Sequence, residues 1–244
     1  MRTYLRKIPI KQFMVGYLGL VLALSSYFFG SFEYFIKGIL IVFFYSIFDL
    51  IWTRVRNKVW YLPQSSIISG LILALIGPAL PSMTYIILLP AVAVFSKQII
   101  RFKNGRHIFN PAAFSLVLIS FFYPVVSWSG VAWVRHESYF LWVLIASGIF
   151  ILWRQKRWET AFAFLAIYAF FFPDQLLDGT LIFFMTVILI EPITSFSPTH
   201  IGRMAYGAIA SSGAILASYF GAFVFYLDPL LLGLLFAISI KLAN

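Results

Sequence analysis

The sequence predicts an all-α polytopic membrane protein with about ten transmembrane helices, and three observations lead to this fold class. The 244 residues are 62% hydrophobic and only 11% charged, whereas a soluble domain of this size needs more charge to cover its surface. Apolar runs fill nearly the whole chain, and about 20 apolar residues suffice for one helical crossing. The basic residues fall in alternate connections between these runs. We therefore expect a single transmembrane domain over residues 1–244.

The apolar runs define the expected helices in chain order. A basic segment precedes the first run, and no small-residue cleavage site follows it before Ser31, so we expect a retained helix rather than a signal peptide. Asn110-Pro111 and Asp228-Pro229 each combine an N-cap residue with a proline at the first helical position. The expected helices lie near residues 12–30, 35–53, 64–80, 82–99, 110–127, 138–154, 158–172, 176–192, 203–221 and 224–242.

Two of the runs end in proline and are short for a complete crossing. The run near 64–80 ends at Gly77-Pro78, and the run near 176–192 ends at Glu191-Pro192. Proline in a hydrophobic helix frees a backbone carbonyl group, which neighbouring protein or water must satisfy. We expect both runs to form Pro-broken short helices that meet near the centre of the fold.

The distribution of basic residues sets the expected orientation. When ten helices are threaded through a membrane, sixteen of the eighteen Lys and Arg residues fall on one side, which the positive-inside rule identifies as cytoplasmic. Both termini then lie in the cytoplasm, and cytoplasmic loops at the lipid bilayer account for the net charge of +10 without a nucleic-acid partner. The other side receives Lys37, Arg135, Glu33, Glu137, Asp174, Asp178 and Asp228.

The two halves of the chain align with each other in places. The segment LILALIGPALPS (71–82) aligns with VILIEPITSFS (187–197), and NPAAFSLVLIS (110–120) aligns with DPLLLGLLFAIS (228–239). The offsets are similar, so we expect an internal repeat, with repeat 1 over about 12–127 and repeat 2 over about 138–242. Five helices per repeat is an odd number, which makes the two repeats inverted in the membrane.

Glu191 is the most informative polar residue. A carboxylate between Ile190 and Pro192 is costly in a membrane unless it is paired or hydrated. Two interpretations stay open: a functional role in ion passage, or an interfacial residue paired with Arg203 or Arg106.

The remaining polar residues exclude several classes of site. Asp49 is followed closely by Arg54, which favours an interfacial ion pair. His107 and His200 fall in cytoplasmic connections, but two histidines are too few for a metal site. The chain has no Cys, which excludes disulfides and thiolate-ligated iron–sulfur or zinc sites within it. We find no phosphate loop and no nucleophile–base pair, so the sequence favours a carrier of ions, electrons or small solutes.

Two stretches, which together cover about two-fifths of the chain, resemble one known family. The first spans residues 65–128 and contains SSIISGLILALIGPALPS (65–82), SKQ (96–98) and NGRHIFNPAAF (104–114). The second is LLDGTLIFFMTVILIEPITSFSPTHIGRMAYGAIAS (176–211). Both are similar to the integral-membrane D subunit of Rnf-type electron transport complexes and to the B subunit of sodium-translocating NADH:quinone reductase (the RnfD/NqrB family).

The resemblance implies a function and a set of site residues. The chain would be a membrane subunit of an ion-translocating oxidoreductase complex, beside other membrane subunits, in a prokaryotic cytoplasmic (inner) membrane. It would take part in electron transport coupled to ion translocation, with no autonomous catalytic site. The implied flavin-binding residues are Lys97, Arg106, Asn110, Thr194, Ser195 and Arg203, and the implied transport residues are Glu191, Pro78 and Pro192.

One departure from the family concerns its cofactor. Family members carry flavin mononucleotide (FMN) covalently on the Thr of an Ala-Thr motif, in a long extracytoplasmic loop between helices five and six. The corresponding connection here is SWSGVAWVRHES (127–138), which is short and has no Thr. We therefore expect no covalent FMN, and a noncovalent flavin (FMN or riboflavin) if the chain carries one.

Two alternative functions stay open. The family's ten-helix fold is similar to that of urea transporters, so the chain could be a stand-alone channel or transporter for an ion or small solute. It could also be a scaffold subunit that has no redox centre and only positions its neighbours.

Overall fold

The computed structural model describes residues 9–61, 63–102, 105–122, 127–128, 137–195, 197–221 and 227–242. The described residues form ten helices and no β-strand, which confirms the all-α prediction. The helices are α1 (Ile10–Phe29), α2 (Phe32–Asn57), α3 (Gln64–Ile76), α4 (Met83–Ile99), α5 (Pro111–Ser120), α6 (Glu137–Gln155), α7 (Trp158–Phe171), α8 (Gly179–Phe183, continued by a π turn over Phe184–Ile188), α9 (His200–Gly221) and α10 (Pro229–Leu242).

Helix lengths vary widely. Two helices in the described part of the chain, α1 and α2, are long and apolar enough to cross a membrane by length and composition. The helices α3 and α8 end at Ile76 and Ile188, shortly before the prolines at 78 and 192. The helix α5 ends at Ser120, seven residues earlier than expected, and α10 begins at Pro229 instead of 224. Hydrophobicity alone overestimated the length of both helices, because apolar residues continue beyond the helix ends.

Polar caps determine where the two shortened helices begin. The Asn110 side chain accepts a hydrogen bond from the Ala113 N–H at 3.0 Å, and Asp228 accepts one from the Leu231 N–H, also at 3.0 Å. In each case a proline occupies the first helical position, where it has no N–H to satisfy and its fixed φ suits the helix. Both capping predictions are confirmed.

Helix contacts follow the same order in the two halves. In the first half α1 packs on α3, α2 on α4, and α4 on α5. In the second half α6 packs on α8, α7 on α9, and α9 on α10. The contact of α5 with α10 joins the halves, so the two capped short helices lie side by side.

Small residues on α9 allow close approach of its neighbours. A methyl group added at Gly207 would lie 2.1 Å from the carbonyl O of Thr160 on α7. One added at Gly233 on α10 would lie 2.4 Å from the carbonyl O of Ala210. Small residues at such crossings bring backbones into van der Waals contact, which is how apolar helices pack without a large hydrophobic gain.

We expect Gly207→Ala to lower the stability of the fold by about 1–3 kcal/mol, because the added methyl group overpacks the α7–α9 contact. The measurement is thermal unfolding of the purified protein in detergent. Gly16→Ala is the matched control, since a methyl group there meets nothing within 4 Å. Equal losses in melting temperature for the two variants would contradict the close contact.

Candidate functional site

A cavity of about 210 Å³ lies between the two halves. Its walls come from the start of α1, the first half of α3, the end of α4, the segment before α5, the end of α6 and the segment after α8. Apolar side chains of α3 and α8 form one part of the wall, including Ile68, Ile72 and Val187. The polar part of the wall includes Ser65, Lys97, His107, Asn110, Gln155 and Glu191.

The Glu191 carboxylate joins the two halves at the cavity wall. The Asn110 amide Nδ2 donates to Glu191 Oε2 at 3.0 Å, and the Thr194 hydroxyl donates to the same oxygen at 3.0 Å. His107 Nε2 lies 3.9 Å from Glu191 Oε1. Asn110 therefore does two things, since its Oδ1 caps α5 while its Nδ2 holds a carboxylate 81 residues away.

A second buried cluster supports the other side of the cavity. Asp49 on α2 is fully buried, and the Lys97 ammonium donates to its Oδ2 at 3.1 Å. Lys97 also donates to the hydroxyls of Ser66 at 3.1 Å and Ser65 at 3.3 Å. The remaining donors to the Asp49 carboxylate are the side chains of Tyr61, Ser66 and Gln98.

This cluster corrects the expected ion pair. Asp49 pairs with Lys97, while Arg54 donates to the carbonyl O of Lys58. Burial and the hydrogen bond to Asp49 raise the pKa of the Tyr61 hydroxyl, so Tyr61 remains a donor to the carboxylate at neutral pH. The carboxylate thus fixes the Lys97 ammonium at the cavity wall with its charge compensated.

The predicted site residues separate into two groups. Lys97, Asn110, Glu191 and Pro192 line the cavity, and Thr194 bonds to Glu191. The remaining four predicted residues are not among the described cavity-lining residues: Arg106, Ser195, Arg203 and Pro78.

Those four residues have other positions. Arg106 is exposed, and Pro78 follows the far end of α3. The Ser195 hydroxyl donates to the carbonyl O of Glu191 at 2.6 Å. Arg203 pairs with Glu159 at 3.1 Å, so it is not the partner of Glu191, although the interfacial interpretation named it beside Arg106.

Several contributors were not identified from the sequence. Ser66, Gln98 and Tyr61 were missed, although the SKQ segment was noted. Trp128 was also missed: its backbone N–H donates to the carbonyl O of Ile76 at 2.9 Å, and its indole N–H donates to Asp228 at 2.5 Å. An acidic residue inside an apolar helix signals a partner, but sequence does not identify that partner.

The arrangement suits a ligand with polar edges and an apolar body. Asn110 supplies a donor, Glu191 supplies an acceptor, and aliphatic side chains supply an apolar wall. Lys97 adds a positive charge, while its three N–H groups are bound to Asp49, Ser65 and Ser66. Within the described residues, no group of three or more His, Cys, Asp or Glu side chains could hold a metal ion. No sequence model of a protein family matches the chain, and neither does any curated protein sequence.

We expect Asp49→Asn to destabilise the protein by about 3–5 kcal/mol, because it leaves the buried Lys97 ammonium without a carboxylate. Asp49→Asn combined with Lys97→Met removes both charges and should recover part of that loss. Thermal unfolding of the single and double variants in detergent measures the difference. A double variant less stable than Asp49→Asn would argue against this charge pairing.

We expect Asn110→Asp to make stability depend on pH. The new carboxylate keeps the cap on α5 but stands beside Glu191, and like charges raise the pKa of such a pair in the folded state. The folded state then binds more protons than the unfolded state, so stability rises as the pH falls through the folded pKa. Melting temperatures measured against pH for Asn110→Asp and the wild type check this, and parallel curves would contradict it.

Proposed function

We propose that the chain is a polytopic membrane protein built from two inverted repeats and related to the RnfD/NqrB family. The exposed surface supports the membrane assignment, because it carries many large apolar side chains. Phe170, for example, is 83% exposed and Tyr27 is 77% exposed. Extensive exposed apolar surface marks interaction sites on soluble proteins and is ordinary against lipid. Further examples are Phe32, Val55, Trp142, Phe122 and Phe220.

The matching order of helix contacts supports the repeat. Each half packs its first helix on its third, its second on its fourth, and its fourth on its fifth. The caps are related in the same way: Asn110 bonds to Glu191 after α8, while Asp228 bonds to Trp128, which bonds in turn to the end of α3. Each fifth helix therefore begins beside the end of the other half's third helix, which supports a twofold relation between the halves.

We propose that this membrane subunit takes part in electron transport coupled to ion translocation, together with other membrane subunits in a prokaryotic cytoplasmic membrane. One observation carries the proposal. The two stretches on which the family resemblance rests, FNPAA and EPITS, meet through the Asn110–Glu191 hydrogen bond at the wall of the cavity. Two separate family-like segments that build one cavity favour a shared ligand over two unrelated turns.

We propose a noncovalent flavin as the ligand of this cavity. Its ring system has an apolar body that suits Ile68, Ile72 and Val187, and a polar edge that both donates and accepts hydrogen bonds. Asn110 would donate to that edge, Glu191 would accept from it, and Lys97 would act on it through its charge. A flavin supplies one- and two-electron chemistry, and a nearby ammonium stabilises its reduced anion. The family's covalent attachment loop corresponds to residues that lie mostly outside the described part of the chain.

A second candidate function is a stand-alone channel or carrier with a urea-transporter-like fold. The observation that favours it is the meeting of short helix ends at a cavity that contains a carboxylate, Glu191. Helix ends and an ionisable group at a repeat interface are common at the sites of ion and solute carriers. A scaffold subunit without a redox centre is the remaining alternative.

The visible absorbance of the protein purified in detergent tests the proposal. We expect a flavin spectrum in the native protein, and we expect the chromophore to separate from the chain on denaturation. Ile68→Trp fills the cavity and should lower the flavin content severalfold, whereas Ile87→Trp, at an exposed position of α4 outside the cavity, should not.

Two outcomes would decide against electron transport through this chain. A colourless protein that still moves an ion or small solute across liposome membranes would favour the channel. A colourless protein without flux, which co-purifies with other membrane subunits, would favour the scaffold.

A further inference from the structure

A basic cluster lies outside the cavity, where α7 and α9 begin. We define it as Arg157, His200 and Arg203, with Glu159 among them. The two helix starts are in contact, because the Thr160 hydroxyl donates to the carbonyl O of Arg203 at 3.2 Å. The segment after α8 separates this cluster from the cavity: Glu191 lines the cavity, while the carbonyl O of Ser195 faces Arg157.

The cluster has more positive charge than its one carboxylate can compensate. Glu159 Oε1 accepts from Arg203 at 3.1 Å and also contacts His200. The Nε of Arg203 is buried and has no hydrogen-bond partner among the described residues. Each Arg carries a full charge at neutral pH, so Glu159 compensates one of the two guanidinium groups.

Among the described residues, Arg157 is the arginine of the cluster that forms no ion pair, whereas Arg203 pairs with Glu159. Arg157 is only 8% exposed, and its one hydrogen-bond acceptor in the described part of the chain is the carbonyl O of Ser195 at 3.4 Å. Burial and the neighbouring Arg203 lower the pKa of Arg157, and the negative charge of Glu159 opposes this shift. A buried guanidinium without a carboxylate is costly, and a bound anion would remove that cost.

The same two helices carry exposed apolar side chains close in sequence to the cluster. Phe162 on α7 is 60% exposed, and Ile201 and Met204 on α9 are 79% and 51% exposed. Trp158, at the start of α7, stacks on Phe162 with ring centroids 5.8 Å apart. Tryptophan beside basic residues is typical of the interface between headgroups and acyl chains.

We propose that the basic cluster binds the phosphate of an anionic phospholipid in the cytoplasmic leaflet, with its acyl chains against Phe162, Ile201 and Met204. Guanidinium groups bind phosphate oxygens in a fork geometry, and helix starts favour anions. Basic pockets between transmembrane helices on the cytoplasmic side are known to bind acidic headgroups. A free phosphate ion would use the charges but not the apolar surface. The inference rests on the proposed membrane location and is independent of the flavin.

The melting temperature of the delipidated protein in detergent tests the proposal. Added phosphatidylglycerol should raise it by several degrees, because a ligand that binds only the folded state stabilises it. Phosphatidylcholine with the same acyl chains, or inorganic phosphate alone, should have little effect. Equal responses to the two lipids, or an equal response to inorganic phosphate, would overturn the proposal.

Matched variants locate the effect. Arg157→Gln and Arg203→Gln should each lose most of the response to phosphatidylglycerol, and Arg157→Lys should keep part of it. Arg54→Gln removes the same charge from the end of α2 and should respond like the wild type. If Arg157→Gln does not fold, the responses of Arg203→Gln and Arg157→Lys to phosphatidylglycerol still test the lipid site. A full response in both of these variants would contradict the site.

The solubility of the protein without detergent tests the membrane location separately. A protein that remains soluble and monodisperse without detergent would remove the membrane proposal, on which this inference rests. A membrane protein that does not distinguish the two lipids would remove only the lipid site.

Discussion

Backbone groups at a helix end need hydrogen-bond partners wherever that end lies in an apolar interior, and the centre of this molecule depends on that requirement. Asn110 and Asp228 meet it at the starts of α5 and α10. The atoms that the two caps do not use reach the opposite half, through Glu191 in one case and Trp128 in the other. The cavity beside Asn110 is present because short helices end there and are capped there.

Charge compensation distinguishes the buried cluster of Asp49 and Lys97 at the cavity from the basic cluster that contains Arg157. The Asp49 carboxylate is surrounded by donors from the α2–α3 connection, α3 and α4, and one of them is the Lys97 ammonium. The Lys97 ammonium can therefore lie in the cavity wall with a carboxylate as its direct partner. Arg157 is buried with a backbone carbonyl as its acceptor, so positive charge remains there. A segment of five residues, Glu191 to Ser195, separates the cavity from the basic cluster, in which positive charge is left without a carboxylate.

Some of the candidate site could be predicted from the sequence, and particular residues show why the rest could not. The pairing of Asn110 with Pro111 is a local signal, because a cap and the helix it starts are neighbours in sequence. The partner of Asp49 lies 48 residues away on another helix, so proximity in sequence pointed to Arg54 instead. Arg203 has the right charge for the cavity, but α9 directs it to Glu159.

The sequence by itself determined the all-helical class, the ten helices of the described residues and the two capped helix starts. Hydrophobic runs, proline and N-cap residues act within a few neighbouring positions, so these features can be read from neighbouring residues alone. Tertiary structure decided where α5 ends, which carboxylate meets which cation, and that Lys97, Asn110 and Glu191 share one cavity. Those outcomes depend on helices that are far apart in the chain and close in space, and hydrophobicity carries no information about which helices become neighbours.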